Sequence, residues 1–140
     1  MATFKKFEEI QCWQKARELT SKIYDISKKG EFARDFALKD QIRRASVSVM
    51  SNIAEGFDRN GTGEFVQFLS IAKGSAAEVR CQLYVAADQN YIEKGEFDQL
   101  SRLASETALM TGGLITYLRS SGYKGTKYKK VRTQNSKLET

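Results

Sequence analysis

The middle of the chain contains ten consecutive residues without a charge, between Arg44 and Glu55. A surface helix of a small domain presents charged side chains to solvent at every turn. A helix through residues 45–54 therefore has to be covered on more than one side. This segment predicts a helix that serves packing and assembly, and it argues against a reaction centre there.

The composition favours long helices and narrows the possible chemistry. The 140 residues include no proline and no histidine. Proline costs about 3 kcal/mol in a helix interior, so a chain without it suits uninterrupted helices. The lack of histidine excludes hydrolysis by a triad with a histidine base, and also di-iron sites that combine glutamate with histidine. We therefore expect an all-α domain without a catalytic residue, metal site or cofactor.

Apolar spacing and turn residues predict four amphipathic helices. These helices are expected to begin near residues 7, 35, 62 and 96. Asp35 and Thr62 are the expected N-caps of the second and third helices, while Gly30 and Gly122 are placed to end the first and fourth. Connections of about 3 to 6 residues favour antiparallel neighbours. The predicted fold is an antiparallel up-down-up-down four-helix bundle over residues 1–121.

The inward face of each helix can be read from its apolar stripe. The stripe of the second helix comprises Leu38, Ile42, Ala45, Val49, Ile53 and Gly56. The stripe of the fourth comprises Leu100, Leu103, Ala104, Thr107, Thr111, Leu114 and Leu118. Small residues on the third helix, at positions 70, 72 and 74–77, predict close packing against the small-residue run of the second helix.

The cysteines and the N-terminus indicate a cytoplasmic protein. Cys12 and Cys81 form no CxxC pair, and we expect both to be buried thiols in a reducing compartment. No apolar run is long enough for a signal peptide or for a membrane span of about 18 residues. We therefore expect no contact with a membrane.

The positive charge is concentrated at the C-terminus. The net charge is +6, and residues 122–140 carry six lysines and arginines against one glutamate. This segment has few apolar residues and no helical stripe, which predicts a flexible basic tail. Tyr123 and Tyr128 are next to its lysines, a composition suited to phosphate contact and base stacking, although acidic proteins also bind such tails.

Basic residues within the helices are a second group of candidates for binding nucleic acid. On a helix the adjacent residues Arg43 and Arg44 fall on opposite flanks of the apolar stripe. Arg44 can alternatively form a salt bridge with Glu55 or Glu78. Lys73 and Arg80 are seven residues apart on one flank of the third helix. They can bind phosphates, or they can simply be the solvated charges of an exposed helix face. The predicted nucleic-acid-binding residues are Arg43, Arg44, Arg59, Lys73, Arg80, Lys124, Lys127, Lys129, Lys130 and Arg132.

A second apolar face predicts self-association. Several apolar residues of the second and third helices lie off the main stripes, and such a face usually covers a partner chain. The predicted oligomer interface comprises Val47, Met50, Ala54, Phe57, Val66, Ala77 and Tyr84.

Three motifs together resemble a known family. The chain contains QIRRA at residues 41–45, NIAEG at 52–56 and IAKGS at 71–75. In this order they are similar to the family of four-helix-bundle proteins often encoded in intervening sequences of the 23S ribosomal RNA gene. The resemblance covers about residues 7–121 and excludes the basic tail.

The resemblance implies a homopentameric, barrel-like ring. More distantly, the chain is similar to the accessory variability determinant of diversity-generating retroelements, which binds nucleic acid and works with a reverse transcriptase. Our leading hypothesis is a non-enzymatic ring that binds nucleic acid, RNA in particular. The alternative is a protein-interaction adaptor, for example an accessory subunit of a reverse transcriptase.

Overall fold

The computed structural model describes residues 4–121, which fold into four long antiparallel helices. These helices are α1 (Gln11–Ser27), α2 (Phe36–Asp58), α3 (Thr62–Asp88) and α4 (Lys94–Ser121). Short 3-10 turns at Phe7–Glu9 and Phe32–Arg34 precede α1 and α2. The main contacts join α1 to α2, α2 to α3, α3 to α4 and α4 to α1. This arrangement confirms the predicted four-helix bundle.

Local capping explains where the helices begin and end. Asp35 caps α2 as predicted, because its Oδ1 accepts a hydrogen bond of 3.1 Å from the backbone N–H of Leu38. Gly30 follows α1 with a φ of 54°, a conformation that glycine adopts without strain. The prediction for α3 was wrong by one residue: Gly61 is the cap and Thr62 is already helical. The expected end at Gly122 and the tail lie outside the described residues.

The predicted stripes form the core. All six stripe residues of α2 are buried. On α4 one assignment was wrong, because Ile115 is buried at 7% exposure whereas Leu114 is only partly buried. The two positions are adjacent in the chain, and which of them faces the core depends on how α4 packs against its neighbours.

The predicted close packing of small residues between α2 and α3 is confirmed in part, because Ala72, Ser75 and Ala76 are buried whereas Ser70, Gly74 and Ala77 are exposed. A Cβ atom added to Gly56 would lie 2.7 Å from Cβ of Phe68, so only glycine fits there without a shift. About two helical turns from Gly56 along the same interface, the hydroxyls of Ser48 and Ser75 share a hydrogen bond of 2.9 Å. The uncharged segment therefore lies against α3 on one side, and against α1 on another through contacts such as Thr20 Oγ1 to the carbonyl of Ser46.

The two cysteines differ in environment. Cys12 is buried as expected, but Cys81 is exposed on the outer face of α3, so the expectation of two buried thiols was wrong. Cys81 lies two residues after the buried Val79, which places it on the opposite side of the helix. None of the helices in the described part combines the length and apolar character needed to cross a membrane.

Candidate nucleic-acid interface

Arg43 is engaged within the chain. Its Nε donates a hydrogen bond of 2.8 Å to Oγ of Ser27, and its guanidinium group lies 4.3 Å from the centre of the Tyr24 ring. These contacts join α1 to α2 near one end of the bundle. The side chain is partly buried, so Arg43 acts first as a link between helices.

Arg59 and Arg44 differ in whether they form an ion pair within the chain. Arg59 forms an ion pair of 2.9 Å with Glu55 and lies over the Phe68 ring at 5.1 Å. Arg44 is exposed and, within residues 4–121, has no ion pair, so its predicted pairing with Glu55 or Glu78 was wrong for the single chain. Glu55 is instead taken by Arg59, which lies one helical turn further along the same face.

Lys73 and Arg80 lie together along a groove between α3 and α4. The groove encloses about 430 Å³, and none of its lining residues is acidic. Its other lining residues come from α4 and are Ser105, Ala108, Leu109, Gly112, Gly113 and Thr116. Both cations are exposed, and neither forms an ion pair among the described residues. The helical rise of about 1.5 Å per residue separates their positions by about 10 Å along α3.

The floor of the groove is set by the small residues of α4. The Lys73 side chain passes over Gly112, where an added Cβ would lie 3.4 Å from Nζ. Gly113 has open space at its Cβ position and makes no comparable contact. The absence of a side chain at position 112 therefore leaves room for the stem of Lys73 to lie against α4.

Two exposed apolar side chains lie beside this charge. Leu109 lines the groove and is 75% exposed. Tyr84 follows Arg80 by one turn of α3, is 54% exposed, and contacts the edge of the Phe97 ring with 4.9 Å between ring centres. Sequence reasoning identified Lys73, Arg80 and Tyr84 but missed Leu109, whose only signal was an apolar residue standing off the α4 stripe.

The predicted interface residues fall into three environments. Met50, Ala54 and Phe57 are partly buried and pack against the core of their own chain. Val47 is 37% exposed, and Ala77 is also exposed. Val66 was expected to stand off the core, but this was wrong, because it is 9% exposed and belongs to the core cluster that joins α3 to the other helices. Whether the remaining residues contact a second chain stays a prediction.

A second cavity lies between the N-terminal segment and α4. It encloses about 510 Å³ and is lined by Phe4, Glu9, Ile10, Gln11, Cys12, Met110, Leu114 and Tyr117. Burial raises the pKa of the Cys12 thiol to about 11, and a hydrogen bond with Thr111 opposes this effect. A thiol with a raised pKa is a poor nucleophile at neutral pH. Across residues 4–121, no group of three cysteine, aspartate or glutamate side chains is arranged to hold a metal ion.

The fold and the groove together define the class of protein. It is an antiparallel four-helix bundle, and the groove between its last two helices is lined by two basic side chains that form no ion pair among the described residues. Comparison with known proteins gives the family. The model of the 23S rRNA-intervening sequence protein family matches residues 8–113, and the chain belongs to this family.

A solved structure supports the same fold. The chain is similar to a protein of unknown function from the S23 ribosomal protein family of Bacteroides thetaiotaomicron, with a TM-score of 0.70 at 20% sequence identity. The similarity covers 76% of this chain and 96% of that one. None of the curated proteins compared with the chain matches it.

Proposed function

We propose that this chain is a non-enzymatic, homo-oligomeric protein of the cytoplasm that binds nucleic acid, with RNA favoured over DNA. The observation that carries the proposal is the α3/α4 groove, which is lined by Lys73 and Arg80 and by no acidic residue. Unpaired cations attract phosphates because binding releases the counterions that surround a nucleic acid. Arg43 and Arg59 contribute less, since each is already engaged within the chain.

Assembly multiplies this charge. The resemblance of the sequence to ring-forming proteins implies a homopentamer, in which each basic groove is repeated around the axis. A repeated pair of cations produces a stronger local field than one chain has alone. The tail residues Lys124, Lys127, Lys129, Lys130 and Arg132 add further positive charge to each subunit.

The salt dependence of binding tests the proposal. A labelled RNA is titrated with the wild type and with Lys73→Gln/Arg80→Gln, and affinity is measured by fluorescence anisotropy at several salt concentrations. For a single strand each phosphate contact contributes about 0.7 to the slope of log K against log salt. We therefore expect the slope to fall by about 1.4 for each subunit that contacts the strand.

A charge-matched variant is the control. Lys28→Gln/Lys39→Gln removes the same charge from the α1/α2 side of the bundle, where Lys28 pairs with Asp25 and Lys39 lies over Phe36. It should retain the wild-type slope apart from a small general effect of net charge. Absent or salt-insensitive binding to all nucleic acids would contradict the proposal, as would equal effects of the two double variants.

A protein-interaction adaptor is the second candidate. It is favoured by Phe36, an aromatic side chain that is 68% exposed at the start of α2. Large exposed apolar side chains are typical of docking surfaces. A reverse transcriptase is the partner that the distant resemblance suggests. Mixing the purified protein with that enzyme and measuring the mass of the complex tests the idea, and Phe36→Ser should weaken any complex that forms.

A further inference from the structure

The α3/α4 groove combines charge with exposed apolar surface. Lys73, Arg80 and Tyr84 lie on one flank of α3. Leu109 of α4 lines the groove with the two cations, and Tyr84 follows Arg80 by one helical turn. The stretch from Lys73 to Tyr84 is about 16 Å long at the helical rise of 1.5 Å per residue. Phosphates and bases alternate along a nucleic acid in the same way, with charge next to an apolar ring face.

The shape of the groove bears on whether the ligand is paired. A double helix is usually read by a protein element that projects into its grooves. Here the cations line a concave channel of about 430 Å³ between two helices, which suits one flexible strand. Bases in a duplex are stacked on each other and offer no free face, whereas the bases of a single strand can stack on an aromatic ring.

Tyr84 is held in a suitable position for such stacking. Its edge contact with Phe97 restrains the ring, while just over half of its surface stays open to solvent. The hydroxyls of Ser105 and Thr116 line the same groove and can donate hydrogen bonds to phosphate or sugar oxygens. Because Gly112 has no side chain, Lys73 can lie against α4 within the groove that these hydroxyls line.

We propose that the α3/α4 groove binds a single-stranded nucleic acid, with Lys73 and Arg80 contacting phosphates and Tyr84 stacking on a base. This inference rests on the proposed nucleic-acid function and specifies its site and the class of its ligand. Base stacking on one aromatic side chain tolerates any sequence, because every base has a π-face. The groove therefore prefers a single strand to a duplex and has little preference for base sequence.

The first test compares strands and duplexes. Labelled RNA and DNA of about 16 nucleotides, a length at the upper end of single-strand site sizes, are each offered as a single strand and as a duplex at one salt concentration. We expect the single strands to bind at least tenfold more tightly. Comparison of the RNA and DNA strands shows which sugar the site prefers.

The second test isolates the stacking contact. Tyr84→Ala should weaken single-strand binding by about 5- to 160-fold, the range typical of losing one base–aromatic stack, and Tyr84→Phe should retain it. Phe36→Ala, which removes another exposed aromatic residue with a lysine beside it, is the matched control and should leave affinity unchanged. Tyr84→Trp supplies a separate readout, since stacking of a base should quench its fluorescence above the constant signal of the buried Trp13.

The outcomes separate the two proposals. Equal binding of duplex and single strand, together with an unchanged affinity for Tyr84→Ala, overturns the single-strand inference while leaving the basic groove as a nucleic-acid site. A fall in native mass caused by Tyr84→Ala, without an effect on affinity per subunit, assigns Tyr84 to a subunit contact and also overturns it. If the wild type binds neither RNA nor DNA, as a single strand or as a duplex, the proposed function itself is contradicted.

Discussion

At the scale of single residues, one end of the bundle is held together by Asp35, whose carboxylate accepts two hydrogen bonds. Asp35 caps α2 through one carboxylate oxygen and accepts a hydrogen bond of 2.9 Å from the Tyr91 hydroxyl through the other. The Tyr91 ring in turn stacks on Phe32, with 5.2 Å between ring centres. This hydrogen bond raises the pKa of Tyr91. The turn between α3 and α4 is thereby attached to the start of α2.

Cys12 provides the prediction at this scale. Burial raises its pKa from 9.0 to about 11, so the folded protein holds the proton that the unfolded chain releases above pH 9. This contribution to stability is complete below pH 9 and is lost as the pH rises through about 11. We expect the wild type to lose about 2–3 kcal/mol more than Cys12→Ala over this range, at 1.36 kcal/mol per pKa unit.

Urea unfolding at several pH values, followed by circular dichroism, measures this difference. Cys81→Ala is the matched control, because it removes the other cysteine of the chain, which is exposed. A thiol reagent should modify Cys81 rapidly in the folded protein and Cys12 only after unfolding. An identical pH dependence for the wild type and Cys12→Ala would show that the thiol does not stay protonated inside the bundle.

At the scale of helices, the contact between α2 and α3 depends on small residues at defined positions. Gly56 lies directly beneath Phe68 and Phe65, and the pair Ser48 and Ser75 continues the same contact. Gly74 also lies on α3, but it is exposed and has nothing within 4 Å of its Cβ position. Two glycines in similar helices therefore have different roles, and only one of them is required for packing.

Alanine substitution at these two positions should have opposite effects. Gly56→Ala should lower the free energy of unfolding by about 1–2 kcal/mol, because overpacking costs about 1–3 kcal/mol and the gain in helix propensity is at most about 1 kcal/mol. Gly74→Ala should raise it by up to about 1 kcal/mol. Denaturant unfolding at one protein concentration measures both. A stabilised Gly56→Ala variant would mean that α2 and α3 separate easily, contrary to the packing described.

At the scale of the whole molecule, the basic residues proposed to contribute most to nucleic-acid binding lie in two regions. The α3/α4 groove carries two unpaired cations, and residues 122–140 carry six lysines and arginines that lie beyond the described part of the chain. The proposed ring would gather several copies of both regions. Affinity and salt dependence should consequently be properties of the assembly more than of one subunit.

Removal of residues 122–140 separates these contributions. We expect the truncated protein to bind RNA with a clearly smaller salt slope, because fewer phosphates are contacted, and to keep the subunit number that native mass gives for the full chain. For a homopentamer this mass is about five times the 15.8 kDa of the single chain. Native mass spectrometry and the ratio of absorbance at 260 and 280 nm measure assembly and bound nucleic acid. A monomeric mass at micromolar concentration would contradict the ring, and an unchanged salt slope would remove the tail from the binding surface.

The sequence by itself determined the helices and most of the core. Periodic apolar residues, a chain without proline and the cap at Asp35 act through contacts only a few residues apart, so α2 and its buried stripe could be predicted closely. The errors at Thr62 and Leu114 are shifts of one residue at places where packing sets the end or the rotation of a helix. The exposure of Cys81 was missed because a general preference for burial does not say which side of a helix faces the core.

Only the tertiary structure decided which charges are free and what surrounds them. Arg43, Arg44 and Arg59 were all candidates for binding nucleic acid in the sequence, yet a partner from α1 engages the first, a glutamate pairs with the third, and the second remains exposed. The groove exists because α4 places Leu109 and Gly112 opposite Lys73 and Arg80, residues about 30 or more positions away in the chain. Helix formation is local in sequence, whereas the pairing of faces depends on how whole helices pack, and the candidate site depends on that pairing.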